Sequence, residues 1–279
     1  MLRGAFGHAL RGLTLLPHTD NKPCTLQDTC PYCQIFATPA LPDHTLQKFS
    51  QMPAAYVIEP PTTGSITLQK NDLFSFNLIL IGRAISQLPL VIFAFQKALQ
   101  KGLGKNNATC TLLSVANENQ EKIWENTTKN VATITPEIPP HNLSSSKITL
   151  TFTTPLRLTQ QSKIIGKREL NAATLLMALV RRWQLLADTH LGKSAPQQNF
   201  SALKSAAQNI TLTPINLHWF NWSRYSNRQQ QSMTLGGMIG TLQLEGDLSP
   251  FYDLLHIGQW LHVGKETVFG LGHYQLESV

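Results

Sequence analysis

The order of elements legible in this 279-residue chain predicts an α+β fold built as two tandem ferredoxin-like domains, the first lacking its opening strand. Three observations carry that expectation. From Lys147 to the end the residues read strand, helix, strand, strand, helix, strand, which is the ferredoxin-like plan. A helix running into Gly-Leu-Gly and then a strand closes each half: Leu88 to Lys101 with Gly102-Leu-Gly104, and Pro250 to Val263 with Phe269-Gly-Leu-Gly272. Apolar residues make up 42% of the chain, enough to core two domains of roughly 100–150 residues. The division falls near residue 145, giving domains 1–145 and 146–279.

In the first half a helix is expected over Arg3 to Leu16, with Phe6, Leu10 and Leu13 on one face and Gly4, Gly7, His8 and Arg11 on another. Strands follow at Ala54 to Ile58 and Leu73 to Ile81, then the apolar helix and the strand-like Ala108 to Val115. No strand precedes Leu2. Asn117 to Ser146 is polar, contains Pro136, and reads as the link. In the second half Lys147 to Phe152 alternates as a strand does. Leu175, Leu176, Leu179, Val180, Trp183 and Leu186 recur at helical spacing, with Arg181 and Arg182 on the polar side. A short helix at Ser201 to Gln208, strands at Ile215 to Tyr225 and Met233 to Leu244, and the closing helix and strand complete the plan.

Lys and Arg total 23 against 16 Asp and Glu, a formal charge of +7, which favours an anionic partner such as nucleic acid or a membrane surface. The apolar runs at Leu73 to Ile81 and Leu88 to Phe95 are split by Gly82, Arg83 and Pro89, short of the ~20 residues that span a bilayer, so no membrane association through a spanning helix is expected. With no secretory signal legible, the expected compartment is the cytoplasm, and the four cysteines are expected reduced. Gly102-Leu-Gly-Lys105 and Gly264-Lys265 lack P-loop spacing and follow helices where a P-loop follows a strand, so no nucleotide cofactor is expected. No paired carboxylates mark a two-metal nuclease.

Four segments can carry chemistry. The glycines of Val263 to Gly272 let backbone amides approach a phosphate, with Lys265 adding charge and Gly264, Gly270 and Gly272 giving freedom of approach. Those same glycines also suit a tight turn over the core. Trp219 to Arg228 interleaves aromatics with Arg224 and Arg228, which alternation puts on one face able to hold phosphates and stack a base; an edge strand with an aromatic ladder is the plainer account. Lys163, Lys167, Arg168, Arg181 and Arg182 form a second basic set, of the kind that commonly makes only a solvated face. Gly4 and Gly7 in the opening helix cost about 1 kcal/mol each relative to Ala, which close helix packing or close approach of RNA would offset. A histidine there, His8, has the near-neutral pKa that suits proton transfer to and from RNA, although on the residues alone polar surface is the favoured reading. Cys24, Cys30 and Cys33 stand at zinc spacing, with His18 or His44 for a fourth position; such a zinc would be structural, and the alternative is a set of reduced thiols in a loop that packs Tyr32 and Phe36 on the core.

Leu2-Arg-Gly-Ala-Phe-Gly-His-Ala-Leu-Arg11, Gly82-Arg-Ala…Gly102-Leu-Gly104, Arg224-Tyr-Ser-Asn-Arg-Gln…Gly236-Gly237 and the Val263 to Gly272 tail, in that order, resemble the CRISPR-associated RAMP (repeat-associated mysterious protein) superfamily and its precursor CRISPR RNA processing subgroup. The resemblance covers nearly the whole chain. It implies two RAMP domains and a metal-independent endoribonuclease that cuts within CRISPR repeats, leaving 2′,3′-cyclic phosphate ends and needing no cofactor for catalysis. It also implies a histidine near the first helix as catalytic acid or base, which points to His8 with His18 and His44 in reserve, and RNA contacts by Arg3, Arg11, Arg224, Arg228 and the glycine-rich tail. Tyr32 is a further candidate as a positioning hydroxyl. The alternative is a non-catalytic RAMP subunit that holds guide RNA among other CRISPR effector subunits. The family plan opens with a strand before Leu2, which this sequence lacks.

Overall fold

A computed structural model describes residues 1–14, 24–40, 46, 52–61, 67–104, 106–133, 135–192, 195–226 and 231–278, the backbone alone for 223–226, 231–234 and 278. The first half opens on α1 (Leu2–Gly12), where Phe6 and Leu10 recur at helical spacing and both are fully buried. A five-residue helix follows, α2 (Pro31–Ile35), with Pro31 at the first helical position, where its missing N–H costs nothing. Strands β1 (Tyr56–Glu59) and β2 (Asn77–Leu80) pair antiparallel, Tyr56 opposite Leu80 and Glu59 opposite Asn77. A 3-10 turn (Gly82–Gln87) leads into α3 (Leu88–Lys101), and a hairpin of β3 (Ser114–Ala116) and β4 (Lys122–Glu125) ends the half. The core is aromatic. Phe6 and Phe95 stack with centroids 4.5 Å apart, and Tyr56 meets Phe6 edge-on at 5.5 Å.

The second half begins with β5 (Lys147–Leu156), whose alternate residues Ile148, Leu150 and Phe152 are buried. After a small hairpin of β6 (Thr159–Gln160) and β7 (Lys163–Ile164) come α4 (Ala172–His190) and α5 (Phe200–Gln208), capped by Asn171 and Asn199 accepting from the amides of Thr174 and Ala202. Then follow β8 (Thr211–Pro214), β9 (His218–Phe220), the hairpin of β10 (Ser223–Ser226) and β11 (Gln231–Thr234), β12 (Gly237–Glu245), α6 (Tyr252–Leu261) and β13 (Tyr274–Ser278). The sheet order is β13-β5-β12-β8, all antiparallel, with β9 also on β12. First and third strands are central and second and fourth are at the edges, which is the ferredoxin-like arrangement. Each half packs its own buried cluster.

Three expectations change. The strand expected over Ile215 to Tyr225 is split: β8 begins at Thr211, the run continues in β9, and β10 turns off the sheet to pair with β11. The link after Asn117 holds a strand, β4. Arg182 lies on no polar face; it is 9% exposed, and its Nε donates to the Leu261 carbonyl at 2.6 Å. Burial lowers its pKa to about 10, which leaves it charged at neutral pH. Its neighbour Arg181 donates to the carbonyl of Leu46.

The halves meet along this side. Ile81, Leu186 and Leu261 form a joint cluster with Ile79, Trp183 and Ile257 around them. Arg83 donates to the Thr189 carbonyl at 2.6 Å, and His190 Nε2 donates to that of Pro53 at 2.7 Å.

Candidate functional site

Helix α1 divides into two faces. Gly7 belongs to the packed one, since a Cβ there would lie 2.2 Å from the Phe36 ring, so the glycine lets α2 seat against α1. Gly4 and Gly12 meet nothing within 4 Å, and His8 is exposed beside them. Packing therefore explains Gly7 and leaves Gly4, His8 and Gly12 as an open, low-relief strip with half-exposed Arg11 along it. Arg3 lies elsewhere. Its guanidinium sits over the Phe36 ring at 4.6 Å and the Phe269 ring at 5.1 Å, tying α2 to the C-terminal glycine turn. Tyr32 stacks on Phe36 at 5.4 Å.

The glycine-rich tail is built into the seam. Gly264, Gly270 and Gly272 have φ of +97°, +82° and +74°, backbone that residues with a Cβ adopt at a cost. What approaches them is protein: a Cβ on Gly272 would lie 1.9 Å from the Val263 carbonyl oxygen, and one on Gly270 2.8 Å from that of Ile58 in β1. Several amides are taken as well. Lys265 N–H donates to Arg157, Gly270 N–H to Thr267 and Gly272 N–H to Pro155. The glycines are thus required by the turn's own geometry, and the exposed side chains of Lys265 and Glu266 face outward from it.

Sequence reasoning missed the cluster beneath that turn. His262 is fully buried with φ +60° and ψ 168°, a strained conformation for a residue with a Cβ that costs about 1–3 kcal/mol. Its Nδ1 donates to the Leu271 carbonyl at 3.1 Å, and its Nε2 lies 2.8 Å from Glu59 Oε1, with one proton between them. Asn77 holds the other Glu59 oxygen at 3.0 Å, and the His273 ring is 5.1 Å from that of His262. Burial raises the Glu59 carboxyl, but the bonds from His262 and Asn77 outweigh it and hold the group below its usual range. Burial, helped by His262, lowers His273. Glu59, His262 and His273 can reach a common metal ion, yet His262 is satisfied by Glu59 and Leu271, and His273 Nδ1 by Thr153 Oγ1 at 2.6 Å. The available signal was three histidines within 18 residues, His256, His262 and His273, in a chain with nine.

A cleft of about 4490 Å³ opens beside α1, far above the ~300–1,000 Å³ of a small-molecule pocket. His8, Arg11, Lys97 and Lys101 stand along it, while its floor includes apolar residues of β2 and α3 such as Leu80 and Phe95. Of the other expected residues, Cys24, Cys30 and Cys33 bring their sulfurs within 4.8 Å of one another. The Arg224 backbone lies in β10 with its side chain outside the description, and Arg228, His18 and His44 fall outside the described residues.

Comparison with known proteins matches the two halves separately. Residues 1–136 match a family of N-terminal domains, and residues 150–274 match CRISPR-associated endoribonuclease Cas6. No curated protein sequence matches the chain. Among solved structures, the product complex of a Thermus thermophilus Cas6 aligns with 99% of this chain and 92% of its own at 13% identity and a TM-score of 0.60. A second Cas6 product complex does so with the same coverage and identity at 0.53. Another structure of the Thermus thermophilus protein matches over 48% of this chain and 54% of that one, at 16% identity and a TM-score of 0.39. The 150–274 match runs from within β5 to the first residue of β13 and takes in the glycine turn and the buried histidines; this half of the chain matches the Cas6 endoribonuclease family, and the whole chain shares the fold of the Cas6 structures.

Proposed function

We propose that this chain processes precursor CRISPR RNA as a metal-independent endoribonuclease, with His8 as the proton-transferring group. The observation that carries the reading is the open strip of α1, where His8 is exposed between two glycines that no packing contact explains. RNA brings its own nucleophile. The 2′-hydroxyl attacks the adjacent phosphorus, its proton goes to a base, the P–O5′ bond breaks, and the 5′-oxygen takes a proton, leaving a 2′,3′-cyclic phosphate and a 5′-hydroxyl. His8 serves one of these transfers, and Arg11 stabilises the charge gathering on the phosphorane. The match of residues 150–274 to the Cas6 endoribonuclease family supports a repeat RNA substrate.

Single-turnover cleavage of a repeat RNA in EDTA tests this. The parent should give one discrete cut with a cyclic phosphate end, and His8→Ala should slow it by ~10²–10⁴ while leaving affinity within a few fold. Undiminished cutting by the variant would remove His8 and move the role to His18 or His44. Tight binding without cutting by the parent would favour a guide-holding subunit among other CRISPR proteins.

A further inference from the structure

The three clustered thiols belong to no part of the proposed reaction. Cys24 lies in the loop before α2, Cys30 immediately precedes that helix, and Cys33 is its third residue. Cys30 and Cys33 are 7% and 5% exposed. The turn that returns Cys24 to them is tied by its backbone, with the Leu26 carbonyl accepting from Thr29 at 3.1 Å and from Cys30 at 2.7 Å. Gln34 Nε2 closes it onto the Asp28 carbonyl at 2.5 Å. Convergence of three sulfurs within 4.8 Å is therefore a property of a defined turn.

Such an arrangement is poorly served by thiols alone. Three sulfurs this close together, two of them buried, can be held as thiolates only around a compensating positive charge. A disulfide would use two sulfurs and strand the third, and none of the four cysteines is in a disulfide. Helix α2 has five residues, too few to be stable by itself. It nevertheless carries Tyr32 and precedes Phe36, whose ring lies 5.7 Å from Tyr56, under the Arg3 guanidinium and against Gly7. The platform under α1 hangs on that short helix.

We propose that Cys24, Cys30 and Cys33 form a structural zinc site, three thiolates filling three of the four positions of a tetrahedron. Soft thiolates with no carboxylate among them select zinc over magnesium or calcium. Bound there, the ion neutralises the thiolates, anchors α2 and so fixes the position of α1. The site acts on structure and takes no part in the cleavage chemistry, so its fate is separate from that of the function proposed above.

Metal analysis of the untagged full-length chain, purified under reducing conditions, tests the site. About one zinc per chain is expected, with cobalt in its place giving thiolate-to-metal charge-transfer bands and the intense visible bands of a tetrahedral ion. Cys24→Ser, at the least buried of the three, should lose most of the metal and Cys110→Ser none of it. Should Cys33→Ser fail to fold, the Cys24→Ser protein and the parent's cobalt spectrum still decide. Parent protein that holds no zinc after reduction and reloading overturns the proposal, and so does a Cys24→Ser protein with undiminished metal.

Discussion

The two halves follow one plan to different ends. In the C-terminal half β5 is central, with β13 on one side and β12 on the other, so the last strand has a partner. In the N-terminal half no strand occupies the equivalent opening position among the described residues. A last strand on this plan pairs only with the first. Residues 108–113 after α3 accordingly join no sheet, β3 turns back on β4 instead, and β1 and β2 remain a two-stranded sheet. The cleft beside α1 runs over β2 and over residues 109–116, two segments that do not pair with each other, and apolar residues of β2 and α3 line its floor. A β-sheet's order decides which losses are local: removing an edge strand exposes one neighbour, whereas removing a central one orphans two. What holds the N-terminal half is then its aromatic cluster and its seam with the complete half, through Arg3, Glu59, Arg83 and the glycine turn.

The sharpest way to break the comparison is to damage one glycine in each half. Gly272→Val puts a branched side chain into left-handed backbone 1.9 Å from a carbonyl oxygen, and should cost roughly 3–5 kcal/mol, read as a lowered melting temperature. Gly4→Val, on the open face of α1, should leave melting unchanged within about 0.5 kcal/mol. Its effect should appear in RNA affinity instead. Equal melting losses from both would remove the distinction between seam glycine and surface glycine.

Acid should loosen the seam next. Burial depresses His190 to about 4, and Glu59 is held below the ordinary carboxylate range. A histidine whose folded pKa is lowered stabilises fully above its unfolded value near 6.5 and loses that contribution as pH falls toward 4. A depressed carboxylate loses its share in the same direction. Denaturant unfolding across that window should show a decline of roughly 3 kcal/mol from His190. His190→Gln, which can still donate to Pro53, should flatten the curve; an unaltered slope would mean that another group carries the acid sensitivity.

The smallest effect belongs to Lys265. With the amides of the turn partly committed to carbonyls, its contribution to RNA binding rests on charge. Lys265→Ala should lower the slope of log affinity against log salt by about 0.7 with melting unchanged. No change in slope would reduce the tail to a purely structural element.

By itself the sequence determined the elements that neighbours in the chain can specify. Helical spacing placed α3 at Leu88–Lys101 and alternation placed β5, because those periods are set by the local geometry of backbone and side chain. It also marked the glycines and cysteines, whose chemistry is visible from spacing. Only the tertiary structure decided what each of them meets: that Gly272 faces Val263, that Arg182 is buried against α6, and that a carboxylate 203 residues away joins His262. Such partners depend on sheet order and on how two halves dock. Those are set by the summed burial of many residues, and no local pattern encodes them.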